Sequence, residues 1–249
     1  MDKFFIRFRL QSSFGTFGEE FPYESIMETT PQEVAAFIRE GEEWQQEQAK
    51  NLNAAMDIKV LQNKKVMFVG DSITADRLSY RGIVTKAAKL NECNASVSGA
   101  VTTNMLLTFE NHLLSFNPEI VSVMLGTNDS LIISGKKNFV SKQEYADNLD
   151  AIISLSKEAG AKIILTTPPP IDEKRFNFQY RENNNSNIKD YCDIIRKKAA
   201  EHGVILNDFA DKAKNEDFEK IIENDGVHLT PCGQALLAKE WLCTLIQNI

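Results

Sequence analysis

A chain of 249 residues that is 43% apolar and 25% charged has room for one globular domain with a sizeable core, and its composition excludes a disordered or repeat protein. A formal charge of -7 with no basic cluster argues against nucleic-acid binding. No apolar run approaches the roughly 20 residues that span a bilayer. In the opening MDKFFIRFRLQ, Arg7 and Arg9 interrupt what would be the apolar centre of a signal peptide, so a cytoplasmic protein is expected. Cys93, Cys192, Cys232 and Cys243 are scattered without C-x-x-C or metal-type spacing; reduced, mostly packed thiols are expected, with no metal and no cofactor.

Residues 1 to 62 form an extension that stands apart from the pattern behind it. Phe5 to Leu10 alternates apolar and basic residues as a short strand does, and Phe14 to Tyr23 reads as a loop packed by its own aromatics. Thr30, Pro31 and Glu33 start a helix, a cap followed by a proline at the first position and an early acid, and the helix is predicted to reach about Met56. The extension is expected to pack on the main domain. The sharper alternative is a lid or a dimer contact, and with it a homo-oligomer.

From residue 63 to 249 strands and helices alternate. Val66 to Val69 is an apolar run without polar alternation, stopped at Gly70, and reads as a strand buried on both faces. A helix is predicted from about Ala75 to Leu90, a short strand around Asn94 to Val97, and a helix over Asn104 to Leu114. Ile120 to Leu125 is another continuous apolar strand, ending in Gly126-Thr127-Asn128-Asp129. A helix from about Ser141 to Ala159 stops at Gly160. Ile163 to Thr166 is the fourth strand, 171 to 187 a polar, Asn-rich surface loop, and Ile188 to Glu201 a helix. Val204 to Leu206 is the last strand, and Pro231 opens a final helix through Leu245. Five short strands separated by helices imply an α/β fold whose parallel sheet is covered on both faces. The turns after the strands then gather along one edge, where open α/β sheets bind ligands.

Four stretches meet at that edge. Ser72 follows a strand and begins a helix, where backbone N–H groups favour negative charge, so it is a candidate nucleophile; the same tripeptide Gly70-Asp71-Ser72 is also ordinary helix-capping chemistry. In Asp225-Gly226-Val227-His228 the carboxylate can reach Nδ1 of the ring three residues on, which fixes the tautomer and leaves Nε2 to take a proton from the serine. Of the three histidines, His112 lies within a helix and His202 in the last turn of another, a place where histidines meet terminal carbonyls. An ester carbonyl under attack becomes an oxyanion, for which the N–H groups of Ser72 and Gly99 and the side-chain amide of Asn128 are candidate donors. Seen singly, the glycine and the asparagine also suit plain turns.

The blocks GDSIT, NASVSGAVTT, LGTND and DGVHLTPCG, in this order and spacing, resemble the four blocks of the SGNH hydrolases, also called GDSL esterases and lipases. The resemblance covers about residues 65 to 249. It implies a flavodoxin-like three-layer α/β/α sandwich and acyl-ester hydrolysis without a metal. The family's nucleophile falls on Ser72, its oxyanion donors on Ser72, Gly99 and Asn128, and its acid and base on Asp225 and His228. Asp71 and Asp129 fall on positions that order the turns. LTTPPPIDE and GTNDS are most similar to the isoamyl acetate-hydrolysing esterase branch, whereas SGAVTTN is closer to the thioesterase and lysophospholipase branch.

The function expected is a serine esterase acting through an acyl-enzyme on a small ester with a short acyl chain. Carbohydrate O-deacetylation and lysophospholipase or thioesterase activity are the alternatives within the family. A rival from another class is a flavodoxin-like module that binds phosphate or another anion without catalysis.

Overall fold

Each residue from Val66 to Val69 is fully buried, which follows from the place of their strand. The computed structural model describes Arg7 and residues 30–133, 135, 137–176 and 181–249. Its centre is a parallel five-stranded sheet in the spatial order β2 (Asn91–Asn94), β1 (Lys65–Gly70), β3 (Ile120–Met124), β6 (Lys162–Thr166), β8 (Ile205–Asn207). β1 thus has a neighbour on each side and helices over each face. Its side chains alternate, Val66 and Phe68 entering one core, Met67 and Val69 the other.

The first core is closed by α3 (Tyr80–Ala88) and α9 (Pro231–Asn248), with α1 (Pro31–Ala55) outside α3. Trp241 fills its middle: the ring lies 5.7 Å from that of Phe68, and Nε1–H donates to Ser122 Oγ at 2.9 Å. That bond explains how a serine sits buried in β3. The second core is closed by α4 (Thr102–Phe116), α5 (Lys142–Glu158) and α6 (Asn185–His202). Two helical layers around a parallel sheet make the three-layer α/β/α sandwich expected, in the flavodoxin-like strand order.

α1 begins with the predicted cap: the Thr30 hydroxyl accepts from Glu33 N–H at 3.2 Å, and the Glu33 carboxylate accepts from Thr30 N–H at 2.9 Å. It lies along α3, where Gln45 donates to Arg77 O at 2.9 Å and Asn53 to Ala87 O at 2.9 Å. The strand expected at Phe5 to Leu10 and the loop expected at Phe14 to Tyr23 lie outside the described residues, except Arg7, which is helical.

Several elements depart from the sequence reading, and the second strand, expected around Asn94 to Val97, lies at Asn91–Asn94. The helix expected from Ala75 to Leu90 is broken into α2 (Ser72–Ala75) and α3, because the intervening Asp76 is drawn into contacts with Arg7 and Gln234 and Ser79 caps a new helix. The expected loop 171 to 187 is partly ordered. Asn185 brackets Ile171, accepting from its N–H and donating to its carbonyl, both at 2.9 Å, and Asn184 caps α6, which begins three residues before the predicted start. A small antiparallel sheet of β4 (Ile132–Ile133), β5 (Lys137–Asn138) and β7 (Arg181–Glu182) was not expected, nor were the short helices α7 (Phe209–Ala213) and α8 (Phe218–Ile221). The four cysteines are unpaired, Cys192 buried and Cys232 exposed. Among the described residues no helix is long and apolar enough to cross a membrane.

Candidate active site

Ser72 is the first residue of α2, at the carboxyl end of β1. The helix is capped by its neighbour: Asp71 Oδ1 accepts from Ile73 N–H at 3.0 Å. The cap is therefore supplied by Asp71, and the Ser72 hydroxyl is not used in capping. Its oxygen lies 2.7 Å from His228 Nε2. The other ring nitrogen, Nδ1, lies 2.5 Å from Asp225 Oδ2.

Asp225 is held by its own loop. Oδ1 accepts from the N–H groups of Val227 at 2.9 Å and His228 at 3.0 Å. Burial raises the carboxyl's pKa, but the His228 ring and these two N–H groups more than offset it, and the group is held below the ordinary carboxylate range. A carboxylate can only accept, so Nδ1 carries the ring proton and Nε2 is the acceptor that faces the serine hydroxyl. Gly226 makes the loop's tight turn, with φ +80°, and a Cβ there would meet Phe176 N at 2.5 Å. The loop closes on itself through Glu223 N–H to His228 O at 2.7 Å and a bridge between Ile222 and Leu229.

Gly99 adopts φ +78° in the turn after β2, and Asn128 lies in the turn after β3. Hydrogen bonds join these turns to that of Ser72: Val97 N–H donates to Gly70 O at 3.0 Å, and Asn128 Nδ2 lies 3.1 Å from Ala100 O and 3.5 Å from Asp71 Oδ2. Among the described residues the N–H groups of Ser72 and Gly99 have no acceptor. Asp129 Oδ1 accepts from the N–H and hydroxyl of Thr102 at 2.8 and 2.6 Å, tying the start of α4 to the turn after β3. Burial pushes the carboxyls of both Asp71 and Asp129 up to about 6.

The structure thus brings Ser72, Gly99, Asn128, Asp225 and His228 to one sheet edge. It keeps the other histidines away from that hydrogen-bonded set: His202 Nε2 pairs with Asp150 Oδ1 at 2.8 Å, and His112 lies within α4 beside a cleft of about 440 Å³ between α1 and α3. What the sequence reading missed is the support: Arg7, Asp76, Glu223 and Gln234. Gln234 lies just beyond the last block; it donates to Ile73 O at 3.0 Å and accepts from Tyr80 N–H at 2.8 Å.

The model of the GDSL-like Lipase/Acylhydrolase family matches residues 68–236, a span that contains the whole cluster. The chain belongs to this family. The membership makes it a carboxylic ester hydrolase by class. It is similar to the uncharacterized lipoprotein YqeF of Bacillus subtilis (strain 168), 38% identical over 84 residues, and spans 35% of that protein against 34% of this chain. It is also similar to the GDSL esterase/lipase At5g62930 of Arabidopsis thaliana, 26% identical over 202 residues, or 83% of that protein and 71% of this chain. Among solved structures, Axe2, an acetylxylan esterase from Geobacillus stearothermophilus, has the same fold at 22% identity, with a TM-score of 0.62 over 75% of this chain and 96% of that one.

Proposed function

We propose that the protein is a serine esterase that cleaves small carboxylic esters through an acyl-enzyme. The observation that carries this reading is the continuous hydrogen-bonded run from Ser72 Oγ through the His228 ring to Asp225. Ser72 Oγ attacks the ester carbonyl carbon as its proton passes to Nε2 of His228. The oxyanion is held by the N–H groups of Ser72 and Gly99 and the amide of Asn128, whose long contact to Asp71 leaves a donor to share. Collapse breaks the bond to the alcohol oxygen, which takes the proton from His228. Water then repeats the sequence on the acyl-serine and releases the acid. Asp225 stays ionised throughout and stabilises the imidazolium.

Short acyl groups are the substrates we infer, with acetyl removal from a carbohydrate as the second reading. The latter is favoured by the acetylxylan esterase of like fold, in which a serine, an aspartate and a histidine are each replaced in mutants described as catalytic. Hydrolysis of p-nitrophenyl esters from acetate to decanoate, by wild type and by Ser72→Ala, tests the reading. Wild type should cleave the short esters and Ser72→Ala should lose at least about 10⁴-fold in kcat; full activity in the variant would show the nucleophile to be elsewhere. Release of acetate from acetylated xylo-oligosaccharides separates the two substrate readings.

A further inference from the structure

The catalytic set leaves Arg7 unexplained. It comes from the extension, outside the span matched by the family model, yet it is only 6% exposed. Its Nε and Nη2 donate to the two carboxylate oxygens of Asp76, at 3.2 and 2.6 Å. Nη2 also donates to Leu229 O at 2.9 Å, and Nη1 to a carboxylate oxygen of Glu223. Burial opposes the guanidinium charge, but Asp76 and Glu223 outweigh it and keep the group protonated.

These partners are the two ends of the reacting pair. Asp76 is fully buried and its N–H donates to Ser72 O at 2.9 Å, so it closes the helix that carries the nucleophile. Leu229 follows His228 directly, and Glu223 N–H binds the His228 carbonyl at 2.7 Å. Arg7 therefore spans from the serine's helix to both stems of the loop that presents the base. Gln234 holds the same Asp76 oxygen at 3.1 Å, so Asp76 is anchored without Arg7, whereas the stems of the loop meet the serine's helix through Arg7.

We propose that Arg7 is a positioning residue for the ester hydrolysis inferred above, holding the Asp225–His228 loop at hydrogen-bond distance from Ser72. The proposal rests on that reading for its kinetic effect but not for its structural one. A guanidinium whose fork meets a carboxylate, a carbonyl and a second carboxylate fixes a distance, which a flexible loop alone does not. A displacement of about 1 Å in such a pair costs on the order of 100-fold in rate. An ion pair that only stabilised the fold would change the fraction of folded molecules and leave kcat per folded molecule untouched.

The test compares full-length wild type, Arg7→Ala, Arg7→Lys, Glu223→Ala and the double variant Arg7→Ala/Glu223→Ala. Turnover of p-nitrophenyl acetate is read alongside the downfield proton resonance of His228 Nδ1–H, assigned by its loss in His228→Asn. Arg7→Ala should lower kcat by about 30- to 100-fold with KM within about threefold, and broaden or remove the Nδ1–H signal. Arg7→Lys should recover part of the rate, and the double variant should be no worse than Arg7→Ala because both act through one strut. A folded Arg7→Ala with kcat within about twofold of wild type and an unshifted Nδ1–H resonance overturns the proposal. Where Arg7→Ala does not fold, Glu223→Ala decides by the same two readouts, since Glu223 is partly exposed and only its arm to the loop is cut. If wild type hydrolyses no ester while Arg7→Ala still disturbs the Nδ1–H signal, the esterase reading fails and the positioning role stands.

Discussion

Ser72 sits beside a strand paired on both sides, whereas His228 sits in a loop closed by its own backbone and tied to the body by one main-chain bond and the side chain of Arg7. Around the serine, Gly70 O accepts from Val97 N–H at 3.0 Å and Asp71 O from Ala75 N–H at 2.9 Å, and β1 pairs with strands on both sides. The loop of His228 is closed by its own backbone, then joined to the body by Asp172 N–H to Gly226 O at 2.8 Å and by the Arg7 contacts. Main-chain bonds survive substitution and side-chain bonds do not. Single replacements around His228 are therefore expected to displace the chemistry of a folded protein, whereas those in the strand beneath Ser72 remove core packing as well.

The largest effect that would sharpen this contrast lies at Asn128. Asn128→Ala removes one of the proposed oxyanion donors without touching either strand, so kcat should fall about 10²- to 10³-fold with KM little moved; steady-state kinetics in which KM carried the loss would make Asn128 a binding residue. A smaller effect is expected at Gly226→Ala, which strains a backbone at φ +80° and pushes on Phe176. It should cost about 1–3 kcal/mol in a denaturation curve and about tenfold in kcat, through the same loop displacement. An unchanged rate would mean the loop tolerates movement. The smallest is a matter of pH. The Asp129 carboxyl has its folded pKa raised to about 6, so its contribution to stability is full below the unfolded value of about 4 and is lost as pH rises through 6. Asp129→Asn carries no such titration, and its melting temperature relative to wild type should climb by a few degrees between pH 4 and pH 7. A flat difference would exclude burial of charge as the cause.

Much of this was legible in the chain because the deciding signals are local. The runs Val66 to Val69 and Ile120 to Leu125 read as buried strands from their unbroken apolar character, and the glycines behind them marked where the sheet edge would be. Since each of Ser72, Gly99 and Asn128 follows a strand, the fold class was enough to bring them together, and Asp225 and His228 came with their own three-residue spacing. What escaped depends on distant partners or on lengths too short to have a period. The break at Asp76 is made by Arg7 and Gln234, which lie 69 and 158 residues away. A two-residue strand such as Ile132–Ile133 shows no alternation. The asparagines near 184 read as loop composition, and only the geometry of their side chains reveals a cap and a bracket around Ile171.

The sequence separation of 156 between Ser72 and His228 also orders events during synthesis. The serine leaves the ribosome on the order of ten seconds before the histidine, at translation rates of about 5–20 residues per second. Throughout that interval its hydroxyl has no imidazole beside it, and Ser122 and Phe68 still await Trp241. A nascent chain therefore carries Ser72 without His228 until the last tenth of the sequence is made, and the sheet gains its final cover, Trp241, later still.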